Sequence, residues 1–291
     1  MDSSTSATPS STPDLRLHEI WQYPVKSLIG GTVASAALTT DGMQGDRAWA
    51  VRDEERGGIR GAKKIGALMQ LAARHVDDGT VVITLPGGRE VSSDDPQVHA
   101  VLSEALDHRV TLWPLQPATD LAHYRRGAAD NPDIMVELRD IFGRETDEPL
   151  PDLSKFPEVI MEFESPPGTY LDAFPLLVMT TSALAALAAA LPDSAIDIRR
   201  FRPNLLVDTG SAVGHPEFDW VGRRFAIGSA VIEIAVACPR CVMVTREIDQ
   251  HVPADRAVLR HIVRDLGQDV GVYATVVQPG TISAGDRLVD A

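Results

Sequence analysis

Short runs of strand-forming residues, broken by turn residues about every ten positions, restrict this chain more than any other feature. Residues 17–23, 32–38 and 48–52 read as strands, and Gly30-Gly31, Asp41-Gly42 and Gly57-Gly58 break them. Pro86-Gly87-Gly88 turns a hairpin between 81–85 and 89–91, and 110–115 reads as a closing strand. Strands this short and this regularly spaced argue for a barrel or a curled sheet.

Helices are fewer. Residues 95–107 carry an apolar stripe of Val98, Val101, Leu102 and Leu106, with Asp94 or Asp95 as cap and Pro96 in the first turn. From 117 to 167 periodicity fades, and one short helix is expected near 132–140. Beyond Leu171 the pattern returns. A strand at 175–179 precedes a cap at Thr180-Thr181-Ser182 and an Ala/Leu helix over 183–191 that Pro192 ends. A strand at 201–207 follows, then a hairpin of 223–227 and 230–237 around Gly228-Ser229. An amphipathic helix at 254–266 stops at Gly267, and strands close the chain at 270–277 and within 280–288. The expected class is mainly β with peripheral helices, an α+β fold. Its parts are a disordered Ser/Thr/Pro tail at 1–13, a domain over 14–117, a loop-rich connection at 118–168 and a second domain over 169–291.

Asp and Glu number 41 against 27 Lys and Arg, a formal charge of −14. That field repels a phosphate backbone, so nucleic acid is excluded as a general partner, whereas a small anion in a local basic pocket is not. The longest apolar run, 183–191, is too short to span a bilayer, and no secretory leader precedes the fold. The expectation is a cytoplasmic protein with no membrane association. Nucleotide-binding glycine motifs and a serine-hydrolase elbow are absent from the sequence.

The chain has two cysteines, Cys238 and Cys241, at the end of an alternating apolar strand. The pair is a redox dithiol, half of a metal site, or one functional thiolate beside a bystander. Val242-Met243-Val244-Thr245 reads as strand, which denies the first thiol the helix N-terminus that a thioredoxin-type dithiol uses. Structural zinc needs a second pair of ligands that the sequence does not offer. Cys238 is read as the functional thiolate, biased toward ionisation by Arg240, and Cys241 as a small buried hydrophobe.

Five runs, taken together, resemble the MOSC superfamily. They are Tyr23-Pro24-Val25-Lys26-Ser27, Gly45 to Val51, Arg200-Phe201-Arg202-Pro203-Asn204, Ala237 to Cys241, and Pro279-Gly280-Thr281-Ile282, spread over 15–52 and 171–289. The resemblance is greatest to the branch of amidoxime-reducing components and their bacterial relatives. It implies an N-terminal β-barrel-like domain followed by a MOSC β-barrel domain, with the molybdopterin form of molybdenum cofactor bound between them. It further implies that Cys238 ligates molybdenum and acts in catalysis, while Lys26, Ser27, Arg47, Arg202 and Asn204 hold the pterin or its phosphate. Arginine forks and lysine charges suit a phosphate, and Asn204 suits a pterin amide edge.

The implied activity is an oxidoreductase that reduces N-hydroxylated or N-oxide small molecules by oxygen transfer to molybdenum. Its electrons would come from an external donor protein, since no cysteine after Cys241 is available for an iron–sulfur cluster. The alternative is a non-catalytic carrier of the cofactor or of sulfur as a persulfide on Cys238. Pyridoxal phosphate enters only by family association and is not favoured, because its Schiff-base lysine belongs to a separate domain. The sequence departs from the amidoxime-reducing branch at Asp172-Ala173-Phe174, where that branch has a Thr/Ser pair, and at Val244 to Ile248. Asp172, Glu247 and bound water are left as candidate proton donors.

Overall fold

The computed structural model describes residues 14–77 and 79–291. The expected tail at 1–13 lies outside them. The first part of the chain contains β1 (Arg16–Gln22), β2 (Gly31–Val33), β3 (Ser35–Thr39), β4 (Gly42–Met43), β5 (Trp49–Asp53), β6 (Ala72–His75), β7 (Val81–Thr84), β8 (Glu90–Ser92), α1 (Val98–Leu106) and β9 (Val110–Pro114). Three short helices occupy the connection: α2 (Leu121–Tyr124), α3 (Ile134–Phe142) and α4 (Val159–Glu162). The remainder contains β10 (Leu176–Thr180), α5 (Thr181–Ala190), β11 (Leu205–Asp208), β12 (Arg224–Ile227), β13 (Ala230–Pro239), α6 (Arg256–Asp265), β14 (Asp269–Gln278), β15 (Gly280–Ser283) and β16 (Leu288–Asp290). The fold is mixed α+β with strand predominant.

An eight-stranded sheet runs β16-β12-β13-β14-β10-β11-β1-β2. Its neighbours are antiparallel except β10 and β11. The first two strands of the chain are thus built into the sheet of the second half. The single strand expected over 32–38 is two: it bends at Ala34, so that β2 stays on β1 while β3 pairs with β15 and β4. A strand that changes sheets in this way is how a curled sheet turns a corner.

Two cores result. Leu17, Ile20 and Leu38 pack with Leu176, Phe225, Ile232 and Val272 inside the large sheet. Val25, Leu28 and Val51 pack with β7, α1 and β9, and that second core reaches across to Met243, Ile248 and Val252. Residues 14–117 are therefore tied to the second half on both sides.

Local signals held in part. The Thr180 hydroxyl caps α5 by accepting from Ala183 N at 3.1 Å, and Asp255 caps α6 by accepting from Ala257 N at 2.8 Å. The Asp95 side chain instead serves the turn ahead of α1: it accepts from Gln97 N at 2.8 Å, and the helix starts at Val98 with no side-chain cap. The strand at β6 carried no turn signal that set it apart from the 3-10 turn Gly66–Gln70 before it.

Alternation along β13 buries Ala230, Ile232 and Ile234 against the core. Register shifts at Ile234/Val236 and Ala237/Pro239 then break the alternation and re-aim the strand end that carries the cysteines. Val242–Thr245, read as strand, is a 3-10 turn that packs Met243 and Val244 inward.

Candidate cofactor site

A narrow cavity of about 70 Å³ lies where the end of β13 meets the turns before β5 and β11. Arg47, Arg202, Arg240, Cys238, Cys241 and Tyr273 contribute to its wall. Three of the residues read from sequence as a cofactor cradle have left-handed backbones: Ser27 at φ 69°, Arg47 at φ 49° and Arg202 at φ 59°. The only other non-glycine residues in that region, among those described, are Asp107 and Gln268. Such conformations cost on the order of 1 kcal/mol each and persist where the surroundings over-determine them.

Tyr23 is the plate on which two of these side chains lie. It is wholly buried, its backbone N donates to Asp46 Oδ1 at 2.7 Å, and its hydroxyl donates to Pro203 O at 3.0 Å. The Arg202 guanidinium sits 4.3 Å from the ring centroid and that of Arg47 5.3 Å. Arg47 pairs with Asp46. Arg202 donates through Nη1 to the Leu28 carbonyl, and its Nη2 is buried with no partner. Burial, and then the neighbouring Arg47 charge, pull the Arg202 guanidinium down to about 10. Two like charges gathered on one ring, one with an orphaned donor, form a cradle that favours an anion.

Arg240 completes this arrangement. It donates through Nη2 to Phe201 O at 2.6 Å and through Nη1 to the Cys238 sulfur at 3.1 Å. Cys238 is 2% exposed, and burial pushes its thiol up despite Arg240. Cys241 is only part-buried and lines the same cavity. Cys241, expected to be buried, is thus only part-buried: it packs against the core of Val25, Leu28 and Val51 and also lines the cavity, whereas Cys238 shares the inward parity of Ala230, Ile232 and Ile234.

Lys26 is buried beside this cavity. Its Nζ donates to Asp172 Oδ1 at 2.7 Å, Tyr170 O at 3.0 Å and Ser165 Oγ at 3.2 Å. Lys63 reaches the same carboxylate at 3.5 Å. Burial alone would raise the Asp172 carboxyl, but Lys26 and Lys63 override it and hold it well below the usual carboxylate range. Asp172 is therefore an anion here and does not suit the role of proton donor. Burial pulls the Lys26 ammonium down, opposed chiefly by Asp172.

Ser27 and Asn204 are placed differently from the sequence reading. The Ser27 hydroxyl accepts from Ala62 N at 3.0 Å and so fastens the 61–65 loop, away from the cavity wall. Asn204 lies on the wall, but its amide is used internally. Its Oδ1 accepts from Leu177 N at 3.2 Å and its Nδ2 donates to Asp46 Oδ2 at 3.0 Å. Asn204 thus steadies Asp46, which steadies Arg47. Of the three neighbouring arginines, Arg199 pairs with Asp197 and Asp249. Arg200 is buried and donates to the carbonyls of Ala195, Val244, Arg246 and Pro253. Arg200 also borders the cavity, but of the three it is Arg202 whose guanidinium lies over the Tyr23 ring.

Tyr23, Asp46 and Tyr273 were not singled out from sequence. Tyr23 and Asp46 stand inside the runs that carry the resemblance. Tyr273 gives no signal, because it occupies an ordinary alternating position of β14.

Among the described residues no cluster of three or more His, Cys, Asp or Glu could hold a metal ion. A metal at the cysteine pair would therefore draw most of its ligands from a bound group. An anionic dithiolene cofactor fits that need, and it fits the unpartnered Arg202 donor.

Residues 166–289 match the MOSC domain, and residues 14–117 match the MOSC N-terminal beta barrel domain. The chain belongs to the MOSC-domain proteins. Across this MOSC protein, mitochondrial amidoxime reducing component 2 of Bos taurus is 23% identical, covering 93% of this chain and 81% of its own length. The protein of the same name from Homo sapiens is 24% identical, covering 93% and 82%. Among solved structures, the YuaD protein from Bacillus subtilis aligns over 94% of this chain and 93% of its own at a TM-score of 0.44 and 10% identity. No helix among the described residues is long and apolar enough to cross a membrane.

Proposed function

We propose that this MOSC protein binds the molybdopterin form of molybdenum cofactor in the cavity between Tyr23 and the cysteine pair, and that it is an oxidoreductase. The observation that carries the proposal is the pair of guanidiniums, Arg47 and Arg202, on the Tyr23 ring, with Arg202 Nη2 left without a partner. Arg47 and Arg202 would hold the anionic part of the cofactor, while Lys26, whose three N–H donors are taken by Asp172, Tyr170 and Ser165, acts one step back by fixing Asp172 on the wall. Ser27 and Asn204 act one step back, by fixing the 61–65 loop and Asp46. Cys238 was read from sequence as the metal ligand and catalytic thiol. The proposal gives that role to Cys241 instead, supported by its partial exposure on the cavity wall, with Cys238 and Arg240 buttressing it from behind. When bound, the cofactor supplies two-electron redox chemistry and accepts oxygen.

The proposed substrates are N-hydroxylated or N-oxide small molecules, in line with the names of the mitochondrial amidoxime reducing components. Reducing an N–OH group to N–H with release of water consumes two electrons and two protons. The electrons come from a separate donor protein. A reducing compartment, proposed to be the cytoplasm, suits two free thiols.

The part-exposed Cys241 equally suits a carrier of the cofactor or of a persulfide, so the test must separate the two. The protein is expressed in a cofactor-competent host, molybdenum is measured by elemental analysis, and benzamidoxime reduction is assayed with a chemical electron donor. Metal with turnover supports the reductase. Metal without turnover, or a persulfide without metal, supports carriage. Cys241→Ala should lose molybdenum and activity, while Cys238→Ala should weaken both less. The reverse order returns the ligand role to Cys238.

A further inference from the structure

The 3-10 turn at 242–245 has a second cleft on its other side. Cys241, Met243 and Val244 line the cofactor cavity, whereas Val242, Thr245 and Arg246 line a cleft of about 430 Å³. Its wall carries seven cationic side chains against three carboxylates, in a chain whose net charge is −14.

Four of the cations have no carboxylate within 4.0 Å among the described residues: Arg139, Arg144, Arg246 and Arg256. Arg139 donates only to the carbonyls of Glu145 and Glu148. Arg144, 6% exposed, donates only to Phe142 O, Arg240 O and Gln268 Oε1. Arg246 uses Nε and Nη2 on Ala62 O and Lys63 O and leaves Nη1 free. Arg256 is exposed, with no hydrogen-bond partner among the described residues. Carbonyl oxygens satisfy N–H donors without neutralising them, so these charges are left uncompensated. Burial pulls Arg144 down to about 10, as expected of a guanidinium held without a counter-ion. Of the three carboxylates, Asp130 is held by Arg60 and Lys64, Glu145 by Arg264, and Asp140 stands exposed.

We propose that this cleft is a second ligand site, for a phosphate ester or another multiply charged phosphate. Arg246 and Arg256 would contact it directly, while Arg139 and Arg144 supply the field. Forked guanidiniums with free N–H groups match phosphate oxygens in geometry and in charge. The site is separate from the cofactor cavity and does not depend on the proposed redox function.

The test is calorimetric titration of the full chain with inorganic pyrophosphate in chloride buffer. The expected result is saturable one-to-one binding, weaker by about tenfold or more in Arg256→Gln and in Arg246→Gln, and retained in Arg202→Gln. Arg256 is exposed, so its variant should fold even if Arg246→Gln does not. Absence of saturable binding overturns the proposal, as does unchanged affinity in Arg256→Gln. Binding lost in Arg202→Gln but kept in Arg256→Gln also overturns it, since the ion would then sit in the cofactor cavity.

Discussion

Arg240 holds the Cys238 sulfur at 3.1 Å while its backbone carbonyl accepts from Arg144 Nη2 at 3.0 Å. One residue thus ties the inner thiol to the cationic cleft behind it. The outer thiol, Cys241, has no such tether among the described hydrogen bonds.

This difference predicts an order of chemical modification. Brief iodoacetamide treatment at neutral pH should alkylate Cys241 well before Cys238, read by peptide mass spectrometry. Thiolates react and thiols do not, and the Cys238 thiol is both 2% exposed and shifted upward by burial. Arg240→Gln removes the one cation in contact with that sulfur and should slow Cys238 further. Equal rates at the two positions would contradict the assignment of inner and outer sulfur.

At position 202 the backbone and the side chain make opposite demands. The φ of 59° disfavours any residue with a Cβ, yet the guanidinium is needed on Tyr23. Arg202→Gly should therefore be more stable than Arg202→Ala by about 1 kcal/mol in urea denaturation. Both should lose retained molybdenum. Equal stability of the two would mean that the left-handed backbone carries no strain.

Asp172 neutralises two lysines, one of them deeply buried. Asp172→Asn keeps the shape but leaves Lys26 and Lys63 facing each other with no anion between. The expected loss is about 1–3 kcal/mol, taken below the range for fully buried pairs because the Asp172 side chain is 42% exposed. A shift in the denaturation midpoint checks it. Adding cofactor or pyrophosphate should restore part of the loss if an outside anion takes the carboxylate's place.

Acid should loosen the connection from α6. Glu148 is 5% exposed and pairs with Arg260 and Arg264. Burial alone would raise its carboxyl, but a backbone N–H from Glu145 and the two arginines lower it from the ordinary 4.5. A lowered carboxyl contributes stability that is complete above about 4.5 and is lost as pH falls from there through the folded-state value. Glu148→Gln should therefore be less stable than the parent at pH 7, and the gap should close towards pH 3. A gap independent of pH would assign the loss to packing.

Much of the second half was legible because its signals are local. The alternation in β13 and the stripe in α6 each depend on neighbours a few residues away, and Thr180 caps α5 through its own side chain. The joining of β1 to β11 was not legible, since nothing within 16–22 specifies a partner beyond residue 200. The same holds at the site. A run containing Arg199, Arg200 and Arg202 states that cations are present, but only the turn at φ 59° separates the one aimed at Tyr23 from the one caged by carbonyls. Sequence made Cys241 the buried member of the pair, and only the packed strand end shows Cys238 buried and Cys241 part-exposed.

The place of β1, between β11 and β2, has a consequence for how the molecule is made. On the ribosome, β1 and β2 emerge first and must wait for β11, roughly ten to forty seconds at ordinary rates of synthesis. Through that interval Leu17 and Ile20 have no β11 to pack beneath. Biogenesis of this protein should therefore be more sensitive to chaperone supply, and to pauses in translation ahead of residue 205, than its finished stability would suggest.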